Sequence, residues 1–335
     1  MKIIKDPVHG FVEVDDTALR LLDSPPLQRL RYVKQLGFTY LVYPGAIHTR
    51  FEHSLGTMHL AVLMCRKLSL SPAETLLVAS SALLHDIGHG PFSHALEPFM
   101  QEFLGWGHLD AGARLIREGI VADLLERAGI EPAEAAEMVI GRHPLSGIIH
   151  GDLDVDRMDY LLRDAHYTGV PYGTVDAHRL IQGTIRTDAG LMLDESGIHA
   201  AESLLIARTL MRPSVYFHHV SRIAESMLAY ALHEHLREGG DLPALMAMDD
   251  AEFLLELRRS RSAAARRMAE AVYRRQLFKR ALYVGSDRVN VAALQSESGY
   301  ASSRRFAQDI AERASLDEGE VLVDIPPMPR DMAVQ

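Results

Sequence analysis

The sequence predicts a mainly α fold: a helical bundle with an N-terminal β-hairpin and a small α+β C-terminal appendage. Two observations predict it. From Thr17 onward apolar residues recur mostly at three- to five-residue steps, the spacing of one helix face. Strand-like runs bounded by turn residues are confined to the first fourteen positions, a stretch near 187–191 and the end of the chain. No fixed-period repeat interrupts this pattern.

Taken in order, Ile3, Ile4, Val8, Phe11, Val12 and Val14 flank a Pro-Val-His-Gly turn, so residues 2–14 read as a hairpin. Leu19, Leu22, Leu27, Leu30 and Val33 then mark two short helices separated at Pro25-Pro26. Gly37 to Thr49 is aromatic and Gly-rich, an irregular loop. Arg50 to Leu68 reads as a helix, and Pro72 opens another that Gly88-His89-Gly90-Pro91 stops. Shorter helices are expected at 94–104, 108–118, 120–128, 132–140 and 154–166, and a second hairpin around 187–191. A long helical pattern over 200–236 is disturbed at Pro213. Residues 249–275 are helical and Arg-rich, a solvated face rather than a nucleic-acid grip. The stretch 281–325 alternates short apolar runs with one polar helix near 301–313. The expected division is a core over 1–220 and an extension over 221–335.

Composition narrows the class. The chain has 335 residues, 47% apolar and 24% charged, a globular mixture that excludes disorder and collagen-like repeats. Lys and Arg total 35 against 45 Asp and Glu, a net charge of −10, so nucleic acid is not an expected partner. The lone Cys65 leaves no internal disulfide, and the charged N-terminus lacks the apolar core of a signal peptide. The apolar stretch Leu76–Leu84 is too short to span a bilayer. These features predict a cytoplasmic protein with no membrane partner.

Histidine is out of line. The chain has 17, seven of them between His48 and His108. His53, His85, Asp86 and Asp156 fall near the ends of expected helices, positions that a bundle can bring together. Two imidazoles and two carboxylates suit a divalent transition metal (Mn, Fe, Ni or Zn) with positions left for water and substrate oxygens. Any one of these residues has a plainer reading: Asp154, for instance, suits a helix N-cap. The run His85-Asp-Ile-Gly-His-Gly-Pro-Phe-Ser-His94 is harder to dismiss. Three histidines and an aspartate at a Gly/Pro-punctuated helix exit are costly unless they bind something.

These residues resemble the H…HD…D signature of the HD superfamily of metal-dependent phosphohydrolases. The likeness extends to Asp6-Pro-Val-His-Gly, Gln28-Arg-Leu-Arg31, Lys34-Gln-Leu-Gly37, Phe51-Glu-His-Ser-Leu-Gly56 and Asp154-Val-Asp-Arg-Met-Asp-Tyr160. With these it is similar to the deoxynucleoside triphosphate (dNTP) triphosphohydrolase branch over about residues 1–220.

The resemblance implies an HD-domain bundle that converts a dNTP to deoxynucleoside and tripolyphosphate by water attack at the α-phosphorus. The metal ligands would be His53, His85, Asp86 and Asp156, with Mg a further companion of the triphosphate. His108 would protonate the leaving 5′-oxygen, Glu97 would orient its ring, and His89 and His94 would face the α-phosphate. Arg50, Arg157 and Arg208 would contact the triphosphate, while Tyr160, Asp164, Gln35, Leu36 and Tyr216 would form the sugar pocket. The resemblance also implies a homo-oligomer, dimer or tetramer. Asp23, Gln28 and Arg31 match positions of a nucleotide activator site, although Lys5 departs from it. The competing readings are an HD phosphatase or phosphodiesterase with another substrate, and a non-catalytic nucleotide-binding oligomer.

Overall fold

The computed structural model describes residues 1–187, 190–288, 290 and 299–325, the side chains of His94 and Ser286 excepted. Strands β1 (Lys2–Asp6) and β2 (Gly10–Val14) pair antiparallel, with Ile4 opposite Val12 and Asp6 opposite Gly10. The Asp6 carboxylate accepts from the Val8 and His9 amides at 2.9 and 2.8 Å, which fixes the turn. Val12 and Val14 are buried against the helices, while Ile3 and Phe11 stay exposed.

Helix α1 (Asp16–Leu22) starts at the Asp15 cap, and α2 (Pro25–Arg29) starts at the two prolines. Three-residue helical turns then carry the chain through Gly37–Leu41 to α3 (Arg50–Lys67). A capping box joins Thr49 and Glu52 at the start of α3, and another joins Ser71 and Glu74 at the start of α4 (Pro72–Leu84). After α5 (Ser93–Phe99) comes a wide π turn over Met100–Leu104, then α6 (His108–Arg117), α7 (Gly119–Arg127) and α8 (Pro132–Val139). Helix α9 (Val155–Thr168) is capped by Asp154, whose carboxylate accepts from the Arg157 amide at 2.7 Å.

Helix α10 (Ala177–Gly183), unforeseen in the periodicity, leads to the second hairpin, β3 (Thr184–Thr187) and β4 (Gly190–Leu193). Residues 188–189 of its tip lie outside the described residues. Helix α11 (Ile198–Met211) ends in a π turn that holds Pro213, and α12 (His219–Arg237) follows. Pro213 has no N–H for the helix ladder, so the long pattern splits there. Helices α13 (Leu242–Met246), α14 (Asp250–Arg258) and α15 (Ala263–Tyr273) complete the extension.

The tail differs from expectation. Its described residues form α16 (Tyr300–Ala314) and no strand. The apolar run at Leu282 and Tyr283 is 77% exposed at both residues, and Leu322 packs on helices instead of pairing in a sheet.

Two buried apolar clusters organise the chain. The larger unites β2, α1–α4, α6–α11 and the turn holding Val215. The second gathers α12–α15 with Phe38, Phe92, Leu96, Phe99 and Met100, so it draws on both sides of residue 220. The His-rich segment 85–108 runs along this seam. No described helix is long and apolar enough to cross a membrane.

Candidate metal centre and cleft

His53 lies in the first turn of α3, His85 caps the end of α4 with Asp86 behind it, and Asp156 sits in the first turn of α9. Helix α3 packs on both α4 and α9, so three helix ends meet at one point. His53 Nε2 stands 3.2 Å from His85 Nε2 and 3.0 Å from Asp156 Oδ1; His85 Nε2 stands 3.3 Å from Asp86 Oδ1. Two ligands each about 2.1 Å from one ion, and roughly at right angles, are about 3 Å apart. The spacing of His53, His85 and Asp86 fits a single metal ion, with Asp156 beside the two imidazoles.

The other ring nitrogens strengthen that test. His53 Nδ1 donates to Asp159 Oδ2 at 2.7 Å, and His85 Nδ1 donates to the Ala82 carbonyl at 2.7 Å. With both protons on Nδ1, two Nε2 lone pairs converge, and only a proton or a cation relieves that contact. Burial opposes charge on His53, yet hydrogen bonds to Asp156 and Asp159 push its pKa up to about 10. The field that would hold a proton there attracts a metal ion in its place. Burial also works against charge on Asp86, but Arg50, then His85 and His89, hold its carboxyl well below the usual range.

A second group adjoins the first. His89 Nε2 stands 3.2 Å from Asp86 Oδ1, and its ring stacks on His108 with centroids 3.9 Å apart. Glu97 Oε1 accepts from both the amide and Nδ1 of His108, at 3.1 and 2.9 Å. Burial, Arg50 and His108 together push His89 well below the usual imidazole range, so it is neutral. Burial alone would raise Glu97, but its hydrogen bond with His108 lowers it, so it stays a carboxylate beside that ring. Gly88 makes the arrangement possible: a Cβ there would overlap the His108 carbonyl and the Gly112 amide. Phe92, at φ 44°, turns the chain into α5 and is held by its amide bond to Asp250 Oδ1 at 2.9 Å.

Gln35, Leu36, Glu97, Tyr160, Asp164, Arg208 and Tyr216 line one cavity of about 980 Å³, which continues past Arg212 and Arg222 to α16. Within it Asp164 accepts from Tyr216 Oη and His48 Nε2, both at 2.8 Å. Gln35 Oε1 is buried without a hydrogen-bond partner among the described residues, an acceptor left for a ligand.

Two of the expected cations already have protein partners. Arg50 is buried, donating to Asp86 Oδ2 at 2.6 Å and to Ser93 Oγ at 2.7 Å. Arg157 folds onto the Gly151 carbonyl and Asp154. Arg208 has no carboxylate partner among the described residues, and Arg212, one helical turn on, lines the same cavity. Sequence reading overlooked Arg212, although its four-residue step from Arg208 is a visible signal. The His94 side chain lies outside what the structure describes.

A supporting group was also overlooked. Asp159, fully buried, takes Arg163 Nε on one oxygen and Nη2 on the other, both at 2.9 Å, while holding His53. Its position one turn after Asp156 on α9 placed it on the same helix face.

Fold and centre define a class, and comparison with known proteins agrees with it. Residues 50–164 match the HD domain and residues 175–335 the HD associated region. The chain belongs to the HD-domain family of phosphohydrolases.

An uncharacterized protein of Methanocaldococcus jannaschii is 39% identical over 289 residues, 83% of this chain and 59% of that one. The deoxynucleoside triphosphate triphosphohydrolase SAMHD1 of Homo sapiens is 30% identical over 278 residues, 69% of this chain and 44% of that one. The chain thus spans little more than half, or less, of the length of these curated relatives. Among solved structures, a hypothetical protein from Aquifex aeolicus matches with TM-score 0.77 at 37% identity, covering 88% of this chain and 81% of that one. A phosphohydrolase from Bacteroides thetaiotaomicron matches with TM-score 0.74 at 28% identity, covering 95% and 85%.

Proposed function

We propose that this phosphohydrolase acts on dNTPs, releasing deoxynucleoside and tripolyphosphate by water attack at the α-phosphorus. One observation carries the reading: the candidate metal centre, the His89–Glu97–His108 group and a nucleotide-sized cavity lined by Arg208, which has no carboxylate partner among the described residues, adjoin one another. His53, His85, Asp86 and Asp156 would hold a divalent transition metal. Such an ion supplies a polarised phosphoryl oxygen and an acidified water at neutral pH.

The chain's own groups do the rest. Neutral His89 faces Asp86 through Nε2, and its buried Nδ1 has no hydrogen-bond partner among the described residues. His108, with Nδ1 committed to Glu97, has Nε2 to donate a proton to the leaving 5′-oxygen. The Glu97 carboxylate fixes the Nδ1–H, so the proton delivered to substrate is the one on Nε2. Arg208 and Arg212 provide charge for the triphosphate. Tyr216, tied to Asp164, packs with Tyr160 at 6.3 Å between centroids and forms the wall on which a 2′-deoxy sugar rests. Arg50 orients Asp86 from where it stands.

The test is direct. The purified chain is incubated with each dNTP and Mn²⁺, and the phosphorus products are resolved by NMR. Tripolyphosphate supports the proposal; orthophosphate or pyrophosphate assigns the site to another phosphate ester. We also infer a closed homo-oligomer, since Ile3, Phe11 and Tyr32 expose apolar surface around the N-terminal hairpin. Light scattering that finds only the 37.2 kDa species would reject it.

A further inference from the structure

The hairpin turn at residues 6–10 reaches the deepest charged group of the bundle. His9 Nε2 donates to Asp159 Oδ1 at 2.6 Å, and Arg163 Nη1 donates to Asp6 Oδ2 at 2.9 Å. Asp159 thus receives four hydrogen bonds: His9 and Arg163 on one oxygen, His53 and Arg163 on the other. Asp6, Asp159 and Arg163 are all at most 2% exposed. At that burial these bonds are shielded from bulk water, so a change at one member is taken up by the others.

We propose that the hairpin turn is part of the metal centre, with His9 and Asp6 as positioning residues that hold His53 in its ligating orientation through Asp159 and Arg163. This rests on the metal-centre reading above and not on the identity of the substrate. A carboxylate bonded to the outer nitrogen of a metal-bound imidazole sets the tautomer, ring angle and basicity of that imidazole. Here Asp159 can keep its angle only while Arg163 and His9 fill its remaining lone pairs. Both of those are steered by the turn: Asp6 fixes the amides of Val8 and His9 with one oxygen and anchors Arg163 with the other. The Asp159–Arg163 pair in turn lies against α3 at Gly56, where a Cβ would overlap both side chains. The packing leaves one arrangement. Coupling of this kind is reciprocal: metal binding must also steady the turn.

The experiment uses the full chain, stripped of metal and reloaded with Co²⁺. His9→Phe keeps the ring against His59 but removes the donor; His9→Gln keeps an N–H donor at a similar reach. His9→Phe should weaken Co²⁺ binding by about 10- to 100-fold in chelator competition and alter the visible Co²⁺ spectrum. His9→Gln should restore both. As a readout on the unaltered protein, stripping the metal should speed amide exchange across residues 6–10. A folded His9→Phe with native Co²⁺ affinity and spectrum overturns the proposal. If that variant does not fold, unchanged exchange in the stripped native protein overturns it instead. A native chain that takes up no divalent metal sinks the metal-centre reading itself, a distinguishable result.

Discussion

Gly56→Ala inverts the usual rule that alanine stabilises a helix interior. Gly56 is in the middle of α3, where exchange for alanine gains about 1 kcal/mol of helix propensity. Against this, the new Cβ would overlap Asp159 Oδ1 and Arg163 Nη2. Neither can retreat. Asp159 is tied to His53 and His9, Arg163 is tied to Asp6, and both are fully buried. Room is made only by parting the Asp159–Arg163 contact, whose two bonds at 2.9 Å are charge-assisted. Two such bonds at about 1.5 kcal/mol each cost about 3 kcal/mol. Subtracting the propensity gain leaves a net loss of about 2 kcal/mol as a floor. Urea unfolding followed by circular dichroism should be run on metal-stripped protein, so that ligand binding does not inflate either value. Metal affinity should fall in parallel, because the displaced group orients His53. A Gly56→Ala chain as stable as the native one would refute the packing argument.

Three further outcomes follow from the site. Asp86→Ala should lose both metal and turnover in elemental analysis and activity assays, because it removes a ligand and leaves buried Arg50 unpaired; full metal occupancy would reject the ligand assignment. His108→Ala should retain metal and substrate binding while kcat falls by about two to four orders of magnitude, and Glu97→Gln should fall less. Near-normal turnover in His108→Ala would assign proton donation elsewhere. Burial pushes the Glu225 carboxyl up to about 7, opposed by Arg222 and helped by Asp324. Because this lies above its ordinary 4.5, its contribution to stability is complete below that value and is lost as pH rises through 7. Thermal melts of Glu225→Gln should therefore lose less stability than the native chain between those limits; parallel curves would show that Glu225 titrates as an exposed carboxylate.

The sequence by itself determined the helical architecture and singled out the residues proposed as metal ligands. Apolar spacing, the cap at Asp154 and the prolines at 25, 72 and 213 are local signals, and local signals survive without tertiary context. The His-Asp run was legible because its residue types and spacing carry chemistry whatever their surroundings. Tertiary structure decided the partners. The resemblance placed Arg50 and Arg157 against a triphosphate; in the fold each lies on a buried carboxylate, because a buried charge is costly unless paired. The short runs at 282–284 and 321–323 read as strands, but a strand needs a neighbour, and no described residue pairs with them. Asp159, Arg163, Asp6 and His9 lie up to 157 positions apart in sequence and meet only because the hairpin docks where α3 and α9 cross. That link is set by packing, and spacing in the sequence does not encode which buried groups will share a proton or a charge.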